Sequence, residues 1–261
     1  MNKHKKHEKQ IDTSRRGFLG AAAAATTVTL APGVVLHRLA VAESRSEAVT
    51  GEVRWGMLID STKCVDGCDA CVTACDRENG LDLQEKPAGK GADKWDRQAA
   101  KWIRLVKVKD ELTDHVSRLP MMCQHCEHPP CVDVCPTGAS FKRADGIVMV
   151  DRHTCIGCRY CMMACPYKAR SFIHETVTLK LTRAPRGKGC VESCNLCVHR
   201  RDNGTPSTAC ADACAAQGRG AILFGDLKDP EGPLMKALTT LPSRQIREDL
   251  ALNTGVRYAG V

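Results

Sequence analysis

Short stretches in which apolar and polar residues alternate predict short β-strands along this chain. The clearest stretch is 102–109, where Leu105 alternates with charged neighbours. Further strands are predicted at 52–60, 147–151, 171–181 and 221–227. The pair Asp145-Gly146, which precedes the strand at 147–151, predicts a β-hairpin.

The segments between and after these strands differ in character. Residues 79–98 are polar and rich in Gly, Lys and Asp, which predicts a surface insertion. Residues 233–252 predict one or two short helices broken at Pro242. The tail, 255–261, is interpreted as a packing arm or a partner contact.

Residues 1–42 predict an export signal that is not part of the fold. The segment 14–20, which contains Arg15-Arg16, resembles a twin-arginine signal, and a weakly apolar stretch runs from 17 to 36. Residues 40–42 fit a processing site, so that Glu43 begins the mature chain. The apolar stretch is marginal for spanning a bilayer, which leaves an uncleaved anchor as the alternative. We therefore expect a periplasmic protein, attached to the membrane through its partners.

The chain contains 17 Cys in 261 residues, and sixteen of them fall into four runs. The third run reads C-x2-C-x2-C-x3-C-P, the spacing that holds [4Fe–4S] clusters in ferredoxins. A zinc site needs only paired C-x2-C elements, so this compact run favours iron. The repeated spacing also argues against a disulfide scaffold. The four runs are Cys64, Cys68, Cys71 and Cys75; Cys123, Cys126, Cys131 and Cys135; Cys155, Cys158, Cys161 and Cys165; and Cys194, Cys197, Cys210 and Cys214.

Two features of these runs leave choices open. The first run has an extra residue in 65–67, where Asp-Gly accommodates a wider turn, and it lacks the trailing Pro. In the fourth run either Cys190 or Cys194 can supply the first ligand; the spacing favours Cys194, and Cys190 is predicted not to be a ligand. His125 and His128 can in principle bind metal, but we expect them to lie behind the ligands or at the surface, because four Cys already saturate the site.

Charge and the remaining motifs narrow the class of function. The formal net charge is +8, but residues 1–42 carry seven Lys and Arg against two acidic residues. Thiolate-bound clusters make the rest of the holoprotein mildly acidic, so the charge does not indicate nucleic-acid binding. The chain contains no glycine-rich phosphate loop, nucleophile elbow or haem-attachment motif, which predicts a protein without its own substrate site.

The four runs, together with Phe224-Gly225-Asp226-Leu227 after the last of them, resemble the four-cluster iron–sulfur subunits of the molybdopterin oxidoreductase and polysulfide reductase group. The export signal, the widened first run, 102–104 and the missing Pro after Cys214 look closest to the DsrO type, the periplasmic subunits of the DsrMKJOP membrane complex linked to dissimilatory sulfite reductase. The resemblance implies four [4Fe–4S] clusters, with the fourth Cys of each run crossing to a partner cluster. The implied ligand sets are Cys64, Cys68, Cys71 with Cys214; Cys194, Cys197, Cys210 with Cys75; Cys123, Cys126, Cys131 with Cys165; and Cys155, Cys158, Cys161 with Cys135.

The fold class implied is α+β: tandem ferredoxin-like modules of two [4Fe–4S] clusters each, with short strands, short helices and long cluster-binding loops. The four-cluster domain is expected at 43–227, with an inner module at 120–170 and an outer module from 60–78 and 190–227. Residues 228–261 are expected to form a C-terminal helical extension or a partner-contact arm.

The function expected is single-electron transfer in a membrane complex. The expected partners are an NrfD-like quinone-interacting membrane subunit and a multihaem cytochrome c, which connect the protein to sulfite or sulfide metabolism. The alternative partner is an exported molybdopterin catalytic subunit of the polysulfide, tetrathionate or thiosulfate reductase type. A cluster-based sensor or a structural metal protein is a third class. Arg159, Lys168, Arg200 and Arg201 lie near the runs and are candidates for raising cluster potentials, although simple solvated charge explains each equally well.

Overall fold

The computed structural model describes residues 49–88, 92–178 and 181–261. The predicted export signal at 1–42 lies outside these ranges.

A four-stranded sheet joins the beginning and the end of the described chain: β1 (Trp55–Asp60) lies between β8 (Ile222–Asp226) and β10 (Val256–Ala259), and β9 (Ser243–Arg244) pairs with β10. β1 is antiparallel to β8 and parallel to β10. The predicted strands at 52–60 and 221–227 are therefore confirmed.

Side-chain alternation along β1 places two cores on opposite faces of this sheet. Met57 and Ile59 enter the main core, which also contains most of the buried Cys. Leu58 points to the other face and packs with Leu234 of helix α7 (Pro233–Thr240). β1 is buried on both faces because cluster-binding loops cover one side and α7 covers the other.

The C-terminal tail differs from the extension that the sequence predicts. Residues 256–259 form β10, an inner strand of the four-stranded sheet. Tyr258 is fully buried, and its hydroxyl donates to Pro120 O at 3.2 Å and accepts from Gln124 Nε2 at 3.1 Å. The tail is therefore part of the same folded unit as the Cys runs. Its pairing partner β1 lies about 200 residues earlier in the chain, and a pairing over that distance leaves no trace in the local sequence.

Three two-stranded ribbons lie outside this sheet. They are β2 (Arg104–Lys109) with β3 (Val116–Met121), β4 (Ser140–Lys142) with β5 (Val148–Val150), and β6 (Ser171–Phe172) with β7 (Val191–Glu192). The strand at 102–109 and the Asp145-Gly146 hairpin are confirmed, with Gly146 at φ +84°. The long strand predicted at 171–181 is wrong for the described residues of that stretch: only two residues pair as β6. In the antiparallel register the continuation of β6 meets the turn at Gly189, whose φ is +86°, just before β7 begins.

The helices of the described ranges are short, and most of them begin beside a Cys. They are α1 (Ala70–Asn79), α2 (Trp95–Gln98), α3 (Pro130–Asp133), α4 (Tyr160–Ala164), α5 (Val198–Asp202), α6 (Ala209–Ala216) and α7, with 3₁₀ turns at Ser61–Lys63, Ala92–Lys94 and Glu248–Leu250. Helices of this length are not stable alone, so packing around the Cys groups must hold them. α7 ends before Pro242, as predicted. The insertion at 79–98 contains α2 and a 3₁₀ turn, with Leu81 buried.

None of the helices in the described ranges has both the length and the apolar character needed to cross a bilayer.

Candidate iron–sulfur centres

Four groups of four Cys are brought together from distant parts of the chain, and we number them by their order in space. Group 1 lines a cavity formed by the turn before α1, by α1 itself and by the end of α6. Gly67, at φ +81°, provides the wider turn predicted for the first run. Its members are Cys64, Cys68, Cys71 and Cys214.

Group 2 is completely buried. Burial, followed by the nearby thiols of Cys194, Cys210 and Cys197, raises the pKa of Cys75 well above that of an ordinary thiol. Cys75 comes from α1, and Cys210 from the first turn of α6. These four side chains, Cys75, Cys194, Cys197 and Cys210, are all buried.

Groups 3 and 4 lie around α3 and α4. Group 3 lines a cavity that Tyr167 and Arg170 also border, and its members are Cys123, Cys126, Cys131 and Cys165. Group 4 lines a second cavity beside the β4–β5 hairpin, and its members are Cys135, Cys155, Cys158 and Cys161. The loop of the third run packs closely against the β6–β7 turn. A Cβ added to Gly157 would lie only 2.2 Å from Gly189 O.

The fourth Cys of each run thus lies in a different group from its first three. Cys75 crosses from the first run to group 2, and Cys214 crosses back to group 1. Cys135 and Cys165 exchange in the same way between groups 3 and 4. The observed groups have the same members as the four ligand sets that the family resemblance implies.

Cys190 and Cys194 occupy different places. Cys194 is fully buried, and burial, followed by Cys210, raises its pKa. Cys190 instead lies beside Cys155 of group 4, and its Sγ donates to Arg152 O at 3.3 Å. The geometry favours Cys194 as the ligand; the assignment stays a prediction until iron is counted in variants.

The two histidines near the second run differ in their surroundings. His125 is buried, and Val148 N donates to its Nδ1 at 3.1 Å. Burial, with a contribution from Arg170, lowers the pKa of His125 to about 3, so the ring is neutral. Its Nε2 has no hydrogen-bond partner among the described residues. His128, by contrast, is exposed.

The spacing within the groups fits a polynuclear centre. No three His, Cys, Asp or Glu side chains in the described ranges come close enough together to hold one metal ion. In three of the groups the four thiols instead surround a shared cavity. Four sulfur donors around a small cavity are the donor set of a [4Fe–4S] cluster, so the residues present fit that cofactor.

Without metal, the buried thiols of this interior lose a proton much less readily than an exposed thiol does. Burial raises the pKa of Cys71, Cys123, Cys126 and Cys197 to about 12. Metal binding must therefore displace protons from these side chains, and the metal's charge must compensate the buried thiolates.

Hydrogen-bond donors reach at least one sulfur in every group. Ala221 N donates to Cys214 Sγ at 3.2 Å in group 1, and Asn79 Nδ2 donates to Cys75 Sγ at 3.6 Å in group 2. Arg170 Nη2 lies 3.1 Å from Cys131 Sγ in group 3. In group 4 Ser140 N donates to Cys135 Sγ at 3.3 Å, and although burial raises the pKa of Cys135, this and neighbouring hydrogen bonds lower it overall. Such contacts raise the potential of a bound cluster.

Sequence reasoning missed these donors and chose different cations. Arg159 stacks on Phe172, Arg201 stacks on Trp55, and Lys168 is exposed. Arg200 pairs with Asp212 but also acts electrostatically on Cys197. Arg170 lies five residues after Cys165, and the only sequence signal for it was a basic residue close to a run.

The four groups are connected as successive neighbours, from group 1 to group 4. Groups 1 and 2 share α1, where Cys71 and Cys75 are four residues apart, about 6 Å along a helix axis. Groups 3 and 4 are linked by the second and third runs, whose last members, Cys135 and Cys165, follow the ends of α3 and α4. Cys194 of group 2 lies near Cys123 of group 3, which connects the two pairs. Groups 2 and 3 are wholly buried, whereas groups 1 and 4 each contain partly exposed Cys, and Cys158 of group 4 is exposed.

Comparison with known proteins agrees with this geometry. Two family models, both described as 4Fe-4S dicluster domains, match residues 63–139 and 115–226. The chain is 39% identical to the Hdr-like menaquinol oxidoreductase iron–sulfur subunit 1 of Archaeoglobus fulgidus, over 94% of this chain and 97% of that protein.

Two further relatives belong to other complexes. The tetrathionate reductase B subunit of Salmonella typhimurium is 34% identical over 87% of this chain and 80% of its own length. The menaquinone reductase iron–sulfur cluster-binding subunit of Nitratidesulfovibrio vulgaris is 36% identical over 69% of this chain and 78% of its own length. From its fold, its Cys groups and these relatives, the chain belongs to the ferredoxin-like family of iron–sulfur subunits, which hold four [4Fe–4S] clusters and transfer electrons within oxidoreductase complexes without a catalytic site of their own.

Proposed function

We propose that this chain is the exported electron-transfer subunit of a membrane complex, relaying single electrons between a quinone-interacting membrane subunit and sulfur metabolism. The observation that carries the proposal is the series of four neighbouring Cys groups, in which two buried groups connect two partly exposed ones. Buried centres cannot meet a partner directly, whereas the end groups can. The clusters supply the one-electron chemistry; the protein holds them in order, excludes water from the middle pair and donates hydrogen bonds to their sulfur ligands.

Group 4 is the end that we propose faces a partner protein. Three large apolar side chains around it are exposed: Ile156 at 67%, Tyr160 at 55% and Met163 at 65%. Two of them lie in α4, directly after the exposed Cys158. A redox partner docking there would cover this apolar surface and approach the terminal cluster.

Two relatives support a quinone-linked partner. The Archaeoglobus fulgidus and Nitratidesulfovibrio vulgaris proteins are named as subunits of a menaquinol oxidoreductase and a menaquinone reductase. We propose an NrfD-like membrane subunit and a multihaem cytochrome c as the partners here, in the manner of DsrO-type subunits. The second candidate is a molybdopterin catalytic partner, favoured by the similarity to the iron–sulfur protein of tetrathionate reductase.

Capture of the tagged protein from gently solubilised native membranes separates these candidates. The proposal predicts haem b and haem c absorption bands in the captured material, with no molybdenum. Molybdenum together with a large catalytic subunit would replace it with the second candidate. If the iron–sulfur protein arrives alone at every detergent concentration, it is a free carrier, and the membrane-complex proposal is incorrect.

Export is proposed from the sequence at 14–42 and has its own test. Replacing both Arg15 and Arg16 with Lys should keep the cluster-loaded protein in the cytoplasm, as measured by cell fractionation and immunoblotting. Replacing Lys5 and Lys6 with Gln changes the same number of basic residues, leaves the Arg pair in place and should not change the location. Equal export of both double variants would contradict a twin-arginine signal.

A further inference from the structure

Arg170 is buried at the boundary between groups 3 and 4. Only 5% of the residue is exposed. Its Nη2 donates to Cys131 Sγ of group 3 at 3.1 Å and to Ser140 Oγ at 2.7 Å. Hydrogen bonds from a charged donor to sulfur are stronger than those from a neutral one.

The same side chain also reaches group 4. Ser140, which accepts from Arg170, donates its backbone N–H to Cys135 Sγ at 3.3 Å. The guanidinium charge acts directly on Cys161 as well, where it opposes the rise in pKa that burial causes. Arg170 therefore interacts with ligands of two neighbouring groups, one through a direct hydrogen bond and the other through Ser140 and its charge.

The other two nitrogens of the Arg170 side chain lack hydrogen-bond partners among the described residues. Its Nε and Nη1 are buried without a hydrogen bond to any described residue. No carboxylate in the described ranges pairs with it, whereas Arg186, which is equally buried, pairs with Glu192. A buried unpaired cation is costly unless a negative group compensates it. Anionic clusters held by groups 3 and 4 would compensate this charge, and their sulfides would offer acceptors for the two free N–H groups.

We propose that Arg170 is an electrostatic bridge shared by the group 3 and group 4 clusters, and that it raises the reduction potential of both. This inference rests on the proposed relay function, since it assumes that both groups hold [4Fe–4S] clusters. A fixed positive charge favours the state with the extra electron. Arg170 stays protonated throughout, so an electron passing between the two clusters requires no proton transfer to or from it.

The bridge is tested on purified holoprotein, with four reduction potentials measured by EPR-monitored titration. The variants are Arg170→Gln, which removes the charge, and Arg170→Lys, which keeps it. The control is Arg104→Gln: Arg104 donates to Tyr167 O at 2.8 Å in the same region, and within the described ranges it has no hydrogen bond to a Cys sulfur. Cys126→Ser and Cys158→Ser, which alter one cluster each, identify the signals of groups 3 and 4.

The expected result is a paired shift. In Arg170→Gln both assigned potentials should fall by at least about 59 mV, which corresponds to a tenfold change in the one-electron equilibrium constant. Arg170→Lys should restore part of the shift, while Arg104→Gln and the two other clusters change little. A shift confined to one cluster, or none, would overturn the bridge.

The iron content of each variant distinguishes structural damage to a cluster from an electrostatic effect on its potential. If Arg170→Gln holds fewer than sixteen Fe per chain, the decision rests on Arg170→Lys, in which a compact ammonium replaces the planar guanidinium that donates to Cys131 and Ser140. At least one of the two assigned potentials must then fall, and unchanged potentials would overturn the bridge. Failure of the relay function itself would be seen separately, as a wild-type protein that binds few or no iron atoms.

Discussion

At the scale of single residues, the chemistry of this protein depends on what surrounds each sulfur. The sixteen Cys of the groups were identifiable from spacing, because cluster ligands recur at short fixed intervals. The donors Asn79, Arg170 and Ser140 were not, because they reach sulfur only after the chain has folded. Predictions at this scale therefore concern which Cys binds the cluster and how closely the loops that carry the ligands pack against their neighbours.

The first prediction concerns the ligand of group 2. Cys194→Ser should reduce the iron content from about sixteen to about twelve Fe per chain, because a buried cluster loses one of its four thiolates. Cys190→Ser should keep all sixteen, since Cys190 lies outside group 2. Iron analysis and EPR of both purified variants check this, and the opposite pattern would show that Cys190 is the ligand.

The second prediction concerns Gly157 in the third run. Gly157→Ala should lower the thermal midpoint and the iron content, because its Cβ would meet Gly189 O at 2.2 Å and its φ is +72°. Gly138→Ala is the matched control: its φ is +69°, but nothing lies within 4 Å of the added Cβ. The control carries only the left-handed conformational cost, roughly 1–2 kcal/mol. Equal midpoints for the two variants would mean that the close approach to Gly189 is not needed.

At the scale of secondary-structure elements, strands were predicted where local alternation or a turn signal was strong. β1, β2, β5 and β8 and the hairpin before β5 agree with that prediction. The extent of β6 and the role of β10 do not, because pairing partners distant in the chain determine both. α1 and α6 matter for function, since each carries Cys of two neighbouring groups.

The third prediction concerns β10. Deletion of residues 255–261 should sharply reduce the yield of iron-loaded protein, because β1 loses its parallel neighbour and Tyr258 leaves the core. Tyr258→Phe, which removes only the hydroxyl that bonds Pro120 and Gln124, should cost about 1 kcal/mol and keep all the iron. Iron per chain and far-UV circular dichroism measure both. A fully loaded, folded deletion variant would contradict this role of β10 and favour the partner contact that the sequence offered as an alternative.

At the scale of the whole molecule, the Cys groups lie at the centre of the main core. That core combines buried Cys of all four groups with few aromatic side chains, among them Trp102 and Tyr258. Cluster binding and folding are therefore expected to be one process, as in other proteins whose core is built around metal.

The fourth prediction follows from this arrangement. Removal of iron by a chelator under anaerobic, reducing conditions should abolish the cooperative thermal transition and most of the secondary structure, since α1 and α6 lose the centres they pack around. Far-UV circular dichroism, followed by reconstitution with iron and sulfide, tests the expectation. An iron-free protein that keeps its transition would show that the β1–β8–β10 sheet and α7 are sufficient for stability.

The sequence by itself determined the class of cofactor, the sixteen candidate ligands and the absence of a recognisable substrate motif, because spacing and residue chemistry are local properties. Tertiary structure alone decided that β10 closes the sheet, that Cys190 lies beside Cys155, and that Arg170 lies between two groups. These depend on which distant segments meet. The exchange of Cys between groups was implied by resemblance, and for groups 1 and 2 the fold supplies its physical basis: α1 and α6 each carry ligands of both groups on one rigid element.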